Sequence, residues 1–246
     1  MLISTEAIVL KSFKYGDSSK IVTLFTKDEG LITTIAKGAR NKKNKYGSSL
    51  EPISYIYINF YKYYNKDLYL LSKSELFDTF KIIKNNLQKL TIALALIELV
   101  LKVVEFQEKN TFLFDLLLNI LNLMNISTSN SISLFVTFQL ELIKLIGINF
   151  EIALDVTRRQ KNYEEFKINI EDFTIHRTNE QIKHFMIVNR ESIEIINALK
   201  NATLNIASSY SITNKEATKV IELLNKYISY HLDRKIQLQT LYMLNL

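Results

Sequence analysis

Residues Tyr55–Tyr61 read YIYINFY, and this stretch decides the fold. Its side chains alternate at a period of two, as those of a strand with one buried face do. Within the first 80 residues, 54–63 and four other stretches rich in β-branched and aromatic residues are typical of strands: 3–11, 20–26, 31–36 and 68–77. Turn-forming residues at 28–30 and 65–67 separate neighbours. We predict five antiparallel strands closed into a small barrel, because closure removes the exposed edges of a sheet.

The period changes after residue 80. Apolar residues three or four apart predict helices over 86–109, 111–124 and 131–147, with Ser131 or Ser133 as the N-cap of the third and Gly147 at its end. Two short strands at 166–170 and 173–176 predict a small hairpin, and helices follow at 190–199 and 215–232. The fold class is therefore α+β and multidomain, with a barrel over 1–80 and a mainly helical domain over 81–246.

Composition excludes several kinds of protein. The chain has 246 residues, of which 48% are hydrophobic, and a net charge of +6. It has no cysteine, which excludes disulfides and thiolate metal sites and fits a reducing cytoplasm. The first residues show no basic segment followed by an apolar run, so no secretory signal is expected. Glu98 and Lys102 interrupt the most apolar stretch, which is too short to span a bilayer.

No catalytic constellation is visible. The sequence contains no phosphate-binding glycine loop and no nucleophile elbow. His176, His184 and His231 lie without clustered carboxylates, and adjacent acidic pairs point to opposite strand faces. We expect a protein that is not an enzyme and that needs no cofactor or metal.

A basic segment between predicted strands three and four is the strongest functional signal. It carries Lys37, Arg40, Lys42, Lys43 and Lys45 on what we expect to be a flexible loop. Lys11, Lys14 and Lys20 lie around the first hairpin, and Tyr57, Tyr61 and Tyr63 share strand parity soon after the loop. A single-stranded nucleic acid is bound by cations at its phosphates and by ring faces at its bases. The alternative is a solvated surface loop that serves solubility.

Residues 6–52 resemble the N-terminal barrel of the RecO family of bacterial recombination mediators, and the resemblance spans the whole chain and is strongest over the first 80 residues. The resemblance lies in the order and spacing of Glu6–Leu10 (EAIVL), Tyr15–Thr26 (YGDSSKIVTLFT), 29–31 (EGL), 36–40 (AKGAR) and 50–52 (LEP). Residues 227–232 (YISYHL) also resemble the last long helix of that family.

This resemblance implies an OB-fold followed by a helical domain. It implies binding of single- and double-stranded DNA, strand annealing, and a bacterial protein associated with the nucleoid. It further implies complex formation with RecR, contact with the acidic tail of single-stranded-DNA-binding protein, and thereby loading of RecA onto coated strands. Charge clustering makes Arg158, Arg159 and Lys161 candidates for binding the acidic tail.

Many RecO family members carry a four-cysteine zinc module, which the resemblance places at about 150–188. Asp155-Val156-Thr157-Arg158 stands where the first pair of cysteines is expected, so we predict no zinc there. The hairpin must then be held by packing of Phe166, Ile168, Ile170 and Phe173. Two rivals stay open: an OB-type protein that binds structured RNA, and an adaptor whose basic loop binds an acidic protein. A nuclease is disfavoured, because no carboxylate cluster for Mg²⁺ is identifiable.

Overall fold

A computed structural model describes residues 1–148, 150–152 and 164–244. The chain forms two compact units. The first combines Met1–Asn86 with Ile97–Asn125, and the second combines Leu87–Leu96 with Ile126–Leu246. The domain boundary at residue 80, inferred from the change of period, stays a prediction.

The first unit is built on the predicted closed barrel, which is confirmed. Its strands are β1 (Leu2–Tyr15), β2 (Ser19–Thr26), β3 (Gly30–Ala36), β4 (Tyr55–Tyr61) and β5 (Leu68–Asp78). They close in the order β1-β2-β3-β5-β4. The alternating residues predicted from YIYINFY divide as expected, with Ile56, Ile58 and Phe60 fully buried inside the barrel.

One strand pair differs from the prediction. The sequence led us to expect antiparallel pairing throughout, but β3 and β5 pair in parallel. The reason is parity. Strand direction reverses across every antiparallel pair, so a closed ring with an odd number of strands needs at least one parallel pair. The five-stranded barrel places this pair between β3 and β5.

Strand β1 is longer than predicted, because it serves two neighbours. Its first half pairs with β4, and its second half pairs with β2 as far as Tyr15. The register between β1 and β2 shifts between Val9 and Lys11. Such an irregularity bends a strand, which lets β1 turn from one neighbour to the other around the barrel.

Helices α1 (Lys81–Lys84) and α3 (Thr111–Met124) belong to the first unit, and α2 (Leu87–Val103) ends in it. Helix α3 has the predicted bounds and is capped by Asn110, whose side chain accepts from Leu113 N. Phe114 packs on Phe25 of β2, with ring centroids 5.8 Å apart. Asp115 forms an ion pair with Lys27 at 3.3 Å. The hydrogen bond between the two side chains is the main reason that the pKa of Lys27 is raised.

Helix α2 ends earlier than predicted, because the chain after Val103 docks onto β3. Leu31 and Phe106 form a β-bridge, and Gln107 N donates to Leu31 O at 2.9 Å. The approach is so close that a Cβ on Gly30 would lie 2.1 Å from Glu108 O. Gly30 also has a φ of +65°, a conformation that favours glycine.

The second unit surrounds α4 (Ser131–Leu145), which is buried on all sides over its first ten residues. Its N-cap is Asn130, whose side chain accepts from Ile132 N and Ser133 N, so the prediction of Ser131 or Ser133 was wrong. Gly147 follows the helix end with a φ of +79°, as predicted. Around α4 pack α5 (Arg190–Lys200), α6 (Leu204–Ser209) and α7 (Asn214–His231), and a 3₁₀ helix follows at Gln239–Leu244. Helix α6 was not predicted.

The predicted hairpin is part of a three-stranded sheet. Its strands are β6 (Glu165–Asn169), β7 (Ile175–Arg177) and β8 (Phe185–Asn189), in the order β7-β6-β8. Strand β8 was missed, since its run of four apolar residues shows no alternation and leads directly into α5. Asp155, Val156, Thr157 and Arg158 lie outside the described residues.

Aromatic packing holds this sheet to the helices. Phe166, Ile168 and Phe173 are buried, whereas Ile170 is half-buried. Phe173 stacks on Phe150 with centroids 3.8 Å apart, and both rings meet the edge of Tyr227 on α7. Burial raises the pKa of Tyr227 to about 12, so its hydroxyl stays neutral. In the described part of the chain no group of three or more His, Asp or Glu side chains is placed to hold a metal ion.

Replacing Gly30 with Ala tests the docking of residues 104–110 on the barrel. The new methyl group collides with a backbone carbonyl and the residue keeps a left-handed φ, so the free energy of unfolding should fall by about 2–4 kcal/mol. Urea titration followed by circular dichroism measures this. Gly16→Ala is the matched control, because Gly16 has a φ of +53° but nothing lies within 4 Å of an added Cβ. Equal losses for the two variants would contradict the close approach.

Candidate nucleic-acid interface

The basic loop, which we define as residues 37–54, connects β3 to β4. It is a succession of turns and bends. Tyr46, Leu50 and Ile53 are buried, and Tyr46 and Leu50 join Ala39 in the same core cluster as the barrel interior. The loop is thus folded onto the barrel by apolar side chains placed between its cations.

Two hydrogen bonds fasten the basic loop to β5. The hydroxyl of Tyr46 donates a hydrogen bond to Leu71 O at 2.9 Å, and Ser49 Oγ lies 2.5 Å from Ser74 Oγ. Burial raises the pKa of Tyr46, which keeps its hydroxyl protonated and able to donate. Because these anchors are buried, the backbone that carries the cations has a defined position.

The five cations of the basic loop all face solvent. Across residues 1–148, 150–152 and 164–244, no carboxylate lies within ion-pair distance of any of the five: Lys37, Arg40, Lys42, Lys43 and Lys45. Lys45 Nζ lies over the ring of Tyr46, 5.2 Å from its centroid. The positive charge of the loop is therefore available to an external polyanion.

Arg40 joins the basic loop to the β1–β2 hairpin. Its Nη1 donates to Gly16 O at 2.8 Å, and its backbone N donates to Ser18 O at 2.8 Å. This contact fixes the basic loop against the hairpin turn, which supports the prediction that the loop cations and the hairpin cations form one basic strip. Lys14 lies opposite Lys20 in the ladder. Lys20 forms an ion pair with Glu51 at 2.8 Å, so its charge is balanced within the fold, unlike that of the five cations of the basic loop.

Two exposed aromatic side chains, missed at the sequence level, stand among these cations. Phe13 and Tyr15 are 51% and 50% exposed, on the second half of β1. Residues two apart on a strand share a face, so Lys11, Phe13 and Tyr15 point to the same side. The alternation of these three residues was a usable signal, but the first strand was expected to end at Lys11.

The tyrosines that the sequence singled out lie on a different surface. Tyr57 and Tyr61 face outward from β4, whereas Tyr63 is exposed beyond the end of the strand. In the ladder Tyr57 lies between Glu6 and Glu75, two carboxylates that repel phosphates. Lys66 Nζ lies 5.3 Å from the Tyr63 ring centroid. Base stacking by Tyr57, Tyr61 and Tyr63 stays a prediction.

The second unit carries a groove on α7. Two adjoining cavities of about 460 and 680 Å³ share Lys226, Ser229 and Lys235. Arg234 lines the first cavity, and the second is walled by apolar side chains: Ile221, Ile236, Leu238 and Leu241. The acidic-tail candidates Arg158, Arg159 and Lys161 lie outside the described residues.

A closed five-stranded barrel whose surface joins unneutralised cations to exposed rings is an oligonucleotide-binding type of barrel. The chain belongs to the RecO family of DNA repair and recombination proteins. The family model described as Recombination protein O N terminal matches residues 1–80, and that described as Recombination protein O C terminal matches residues 84–239. The resemblance found in the sequence is confirmed, and the barrel is an OB-fold.

Three relatives illustrate the similarity, each named DNA repair protein RecO. The Salinibacter ruber protein is 34% identical over 157 residues, which cover 64% of this chain and 60% of that protein. The Caldanaerobacter subterraneus protein is 29% identical over 238 residues, covering 94% and 93%. The Alkaliphilus metalliredigens protein is 27% identical over 236 residues, covering 95% of each chain. No helix in the described part of the chain is long and apolar enough to cross a membrane.

Tyr46→Ala tests whether the basic loop depends on its buried anchor. Loss of the ring and its hydrogen bond should let the loop open, because truncating a buried aromatic side chain costs about 3–5 kcal/mol. Limited digestion with trypsin measures this: cleavage after Lys42, Lys43 or Lys45 should become about tenfold faster or more. Tyr46→Phe keeps the ring and should be cleaved more slowly than Tyr46→Ala. Unchanged cleavage in Tyr46→Ala would contradict the anchoring.

Proposed function

We propose that this protein binds single- and double-stranded DNA through its basic loop and anneals complementary strands without catalysing a reaction. The observation that supports this most is the set of solvent-facing cations, without acidic partners, on a loop whose backbone is anchored in the barrel core. Membership of a DNA repair and recombination family indicates DNA as the polyanion.

The proposed mechanism is electrostatic. Lys37, Arg40, Lys42 and Lys43, with Lys45 and the hairpin cations Lys11 and Lys14, neutralise phosphates on two strands at once. Neutralisation releases counterions and lowers the repulsion between the strands, so that complementary bases meet more often. No bond is made or broken in this scheme, so no catalytic residue is required. Because phosphate contacts carry no sequence information, little sequence preference is expected.

We also propose the partners that the family suggests. The protein would act with RecR, contact the acidic and apolar tail of single-stranded-DNA-binding protein, and so help to load RecA onto coated strands at the nucleoid. The lining of the groove on α7 supports this contact. Lys226, Arg234 and Lys235 offer positive charge to carboxylates, and Lys226 would exchange its present ion pair with Glu222, at 3.0 Å, for one with the tail. The apolar side chains of the second cavity offer a wall for a hydrophobic side chain.

Removing the loop charges should change the salt dependence of DNA binding. With about four phosphates engaged on a single strand, the slope of log K against log salt is near −3, and affinity falls roughly 50-fold between about 50 and 200 mM salt. The variant with Lys37, Lys42, Lys43 and Lys45 changed to Gln should bind more weakly. Its slope should move toward zero by about 0.7 for each phosphate that is no longer neutralised. Fluorescence anisotropy with labelled oligonucleotides measures both.

A control with the same change of charge uses four exposed lysines elsewhere: Lys66, Lys73, Lys215 and Lys219. If both quadruple variants keep the wild-type affinity and slope, the basic loop has no role in binding. The absence of any binding by the wild-type protein at low salt would favour the adaptor that binds an acidic protein. Stronger binding of a hairpin RNA than of DNA would favour the RNA-binding alternative.

Annealing of strands coated with single-stranded-DNA-binding protein tests the partner proposal. The wild-type chain should anneal coated strands faster when the acidic tail is intact than when it is deleted, and naked strands equally fast in both cases. Changing Lys226 and Lys235 together to Gln should slow annealing of coated strands only. Stopped-flow fluorescence of a donor–acceptor pair gives the rates. Rates that do not depend on the tail would exclude this contact.

A further inference from the structure

The outer face of β1, β2 and β3 forms a continuous surface in which Phe13 is in register with apolar side chains. Phe13 lies opposite Ile21, Ile21 opposite Ile35, and Ile35 beside Leu70 of β5. All of these side chains are at least partly exposed. Two residues further along β1, next to the β1–β2 turn, Tyr15 lies opposite Ser19. The Cα atoms of these two exposed aromatic residues thus lie about 7 Å apart along β1. Phe13 stands next to apolar side chains, and Tyr15 stands next to a serine.

Away from the β1–β2 turn, the same outer face carries polar side chains. Lys11 lies opposite Thr23, and Thr23 opposite Thr33. The outer face therefore presents a lysine and then two rings in sequence along one strand. In the barrel core both rings would be covered. On an ordinary solvent-facing strand surface, polar side chains would stand in the place of the two rings.

Two cations lie near the rings on the same face or just beyond it: Lys11 precedes Phe13 on β1, and Lys37 immediately follows β3. Lys14 lies between the rings in the sequence but points to the other face of the strand. Arg40 is held at the hairpin turn by its bond to Gly16 O. Across residues 1–148, 150–152 and 164–244, Lys11, Lys14 and Lys37 form no ion pair with a carboxylate. A ligand that offers π faces and negative charges in alternation complements this face, and a single nucleic-acid strand has that chemistry.

We propose that Phe13 and Tyr15 are a base-stacking platform that lets the barrel distinguish single-stranded from duplex DNA. The proposal rests on the DNA binding proposed above. Each ring takes one base, while the surrounding cations take the phosphates. Bases inside a duplex already stack on each other and cannot reach the rings, so a duplex is bound through its phosphates only.

The platform suits annealing, because stacking occupies the face of a base and leaves its pairing edge free. A strand held on Phe13 and Tyr15 can therefore meet a complementary strand while it is still bound. When base pairs form, the bases stack within the new duplex and leave the rings. The duplex then keeps only its phosphate contacts and dissociates more readily.

The test compares three probes with the same number of phosphates per strand: oligothymidine, an abasic strand of equal length, and a duplex. Phe13→Ala and Tyr15→Ala should each weaken oligothymidine binding roughly 5- to 100-fold. Binding of the abasic strand and the duplex should change by less than about twofold, and the salt slope for oligothymidine should stay the same. Phe13→Tyr and Tyr15→Phe should restore most of the affinity. Thermal unfolding verifies that each variant is folded.

One control variant and one comparison variant make the outcome specific. Phe112→Ala removes a ring that is 78% exposed on α3 and should bind all three probes as the wild type does. Tyr57→Ala tests the other predicted stacking position, on β4. A drop for oligothymidine caused by Tyr57→Ala, but not by Phe13→Ala or Tyr15→Ala, would move the platform to β4 and overturn the proposal.

Two further results would also overturn it. One is unchanged oligothymidine binding in the Phe13→Ala, Tyr15→Ala double variant. The other is an equal loss for all three probes, which would show a general disturbance of the barrel surface. In either case the basic-loop variant still decides the DNA-binding proposal, because it acts on every probe that carries phosphates.

Discussion

Barrel closure is the constraint on which the rest of the first unit depends. In the ring β1-β2-β3-β5-β4, strand β3 ends beside β5, whereas β4 lies on the far side of β5 and next to β1. The connection between β3 and β4 must therefore pass across one end of the barrel instead of turning back in a hairpin. A segment that covers an open barrel end has to bury apolar side chains there, and Tyr46, Leu50 and Ile53 do so. The cations between them are left on the outside.

This arrangement separates the two tasks of the basic loop. Its apolar residues contribute to stability through burial, and none of its lysines makes an ion pair with a described carboxylate. Clustered like charges repel each other, and the repulsion is relieved when a polyanion binds. Lys20 shows the opposite solution, because its charge is balanced by Glu51 at 2.8 Å. The same small barrel thus contains both a cation tied to the fold and cations left for a ligand.

Local patterns predicted the elements whose periodicity is unbroken, such as β4 and α3. They failed where long-range packing decides. Asn130 caps α4 in place of the neighbouring serines, β8 is an apolar run without alternation, and helix α2 stops where residues 104–110 dock on Gly30. In the site, charge alone found the basic loop. The rings of Phe13 and Tyr15 were missed because the pairing with β2 carries β1 beyond its expected end at Lys11. The pairing of Lys20 with a residue 31 positions away has no local signal.

The sheet of the second unit is held to the helices by packing of Phe150, Phe173 and Tyr227, and not by thiolates around a metal ion. Thiolate clusters open when peroxide oxidises them or when a chelator withdraws the metal. Ring packing in a chain without cysteine is indifferent to both. Thiolate oxidation is therefore not a route by which this sheet can open, because the chain has no cysteine.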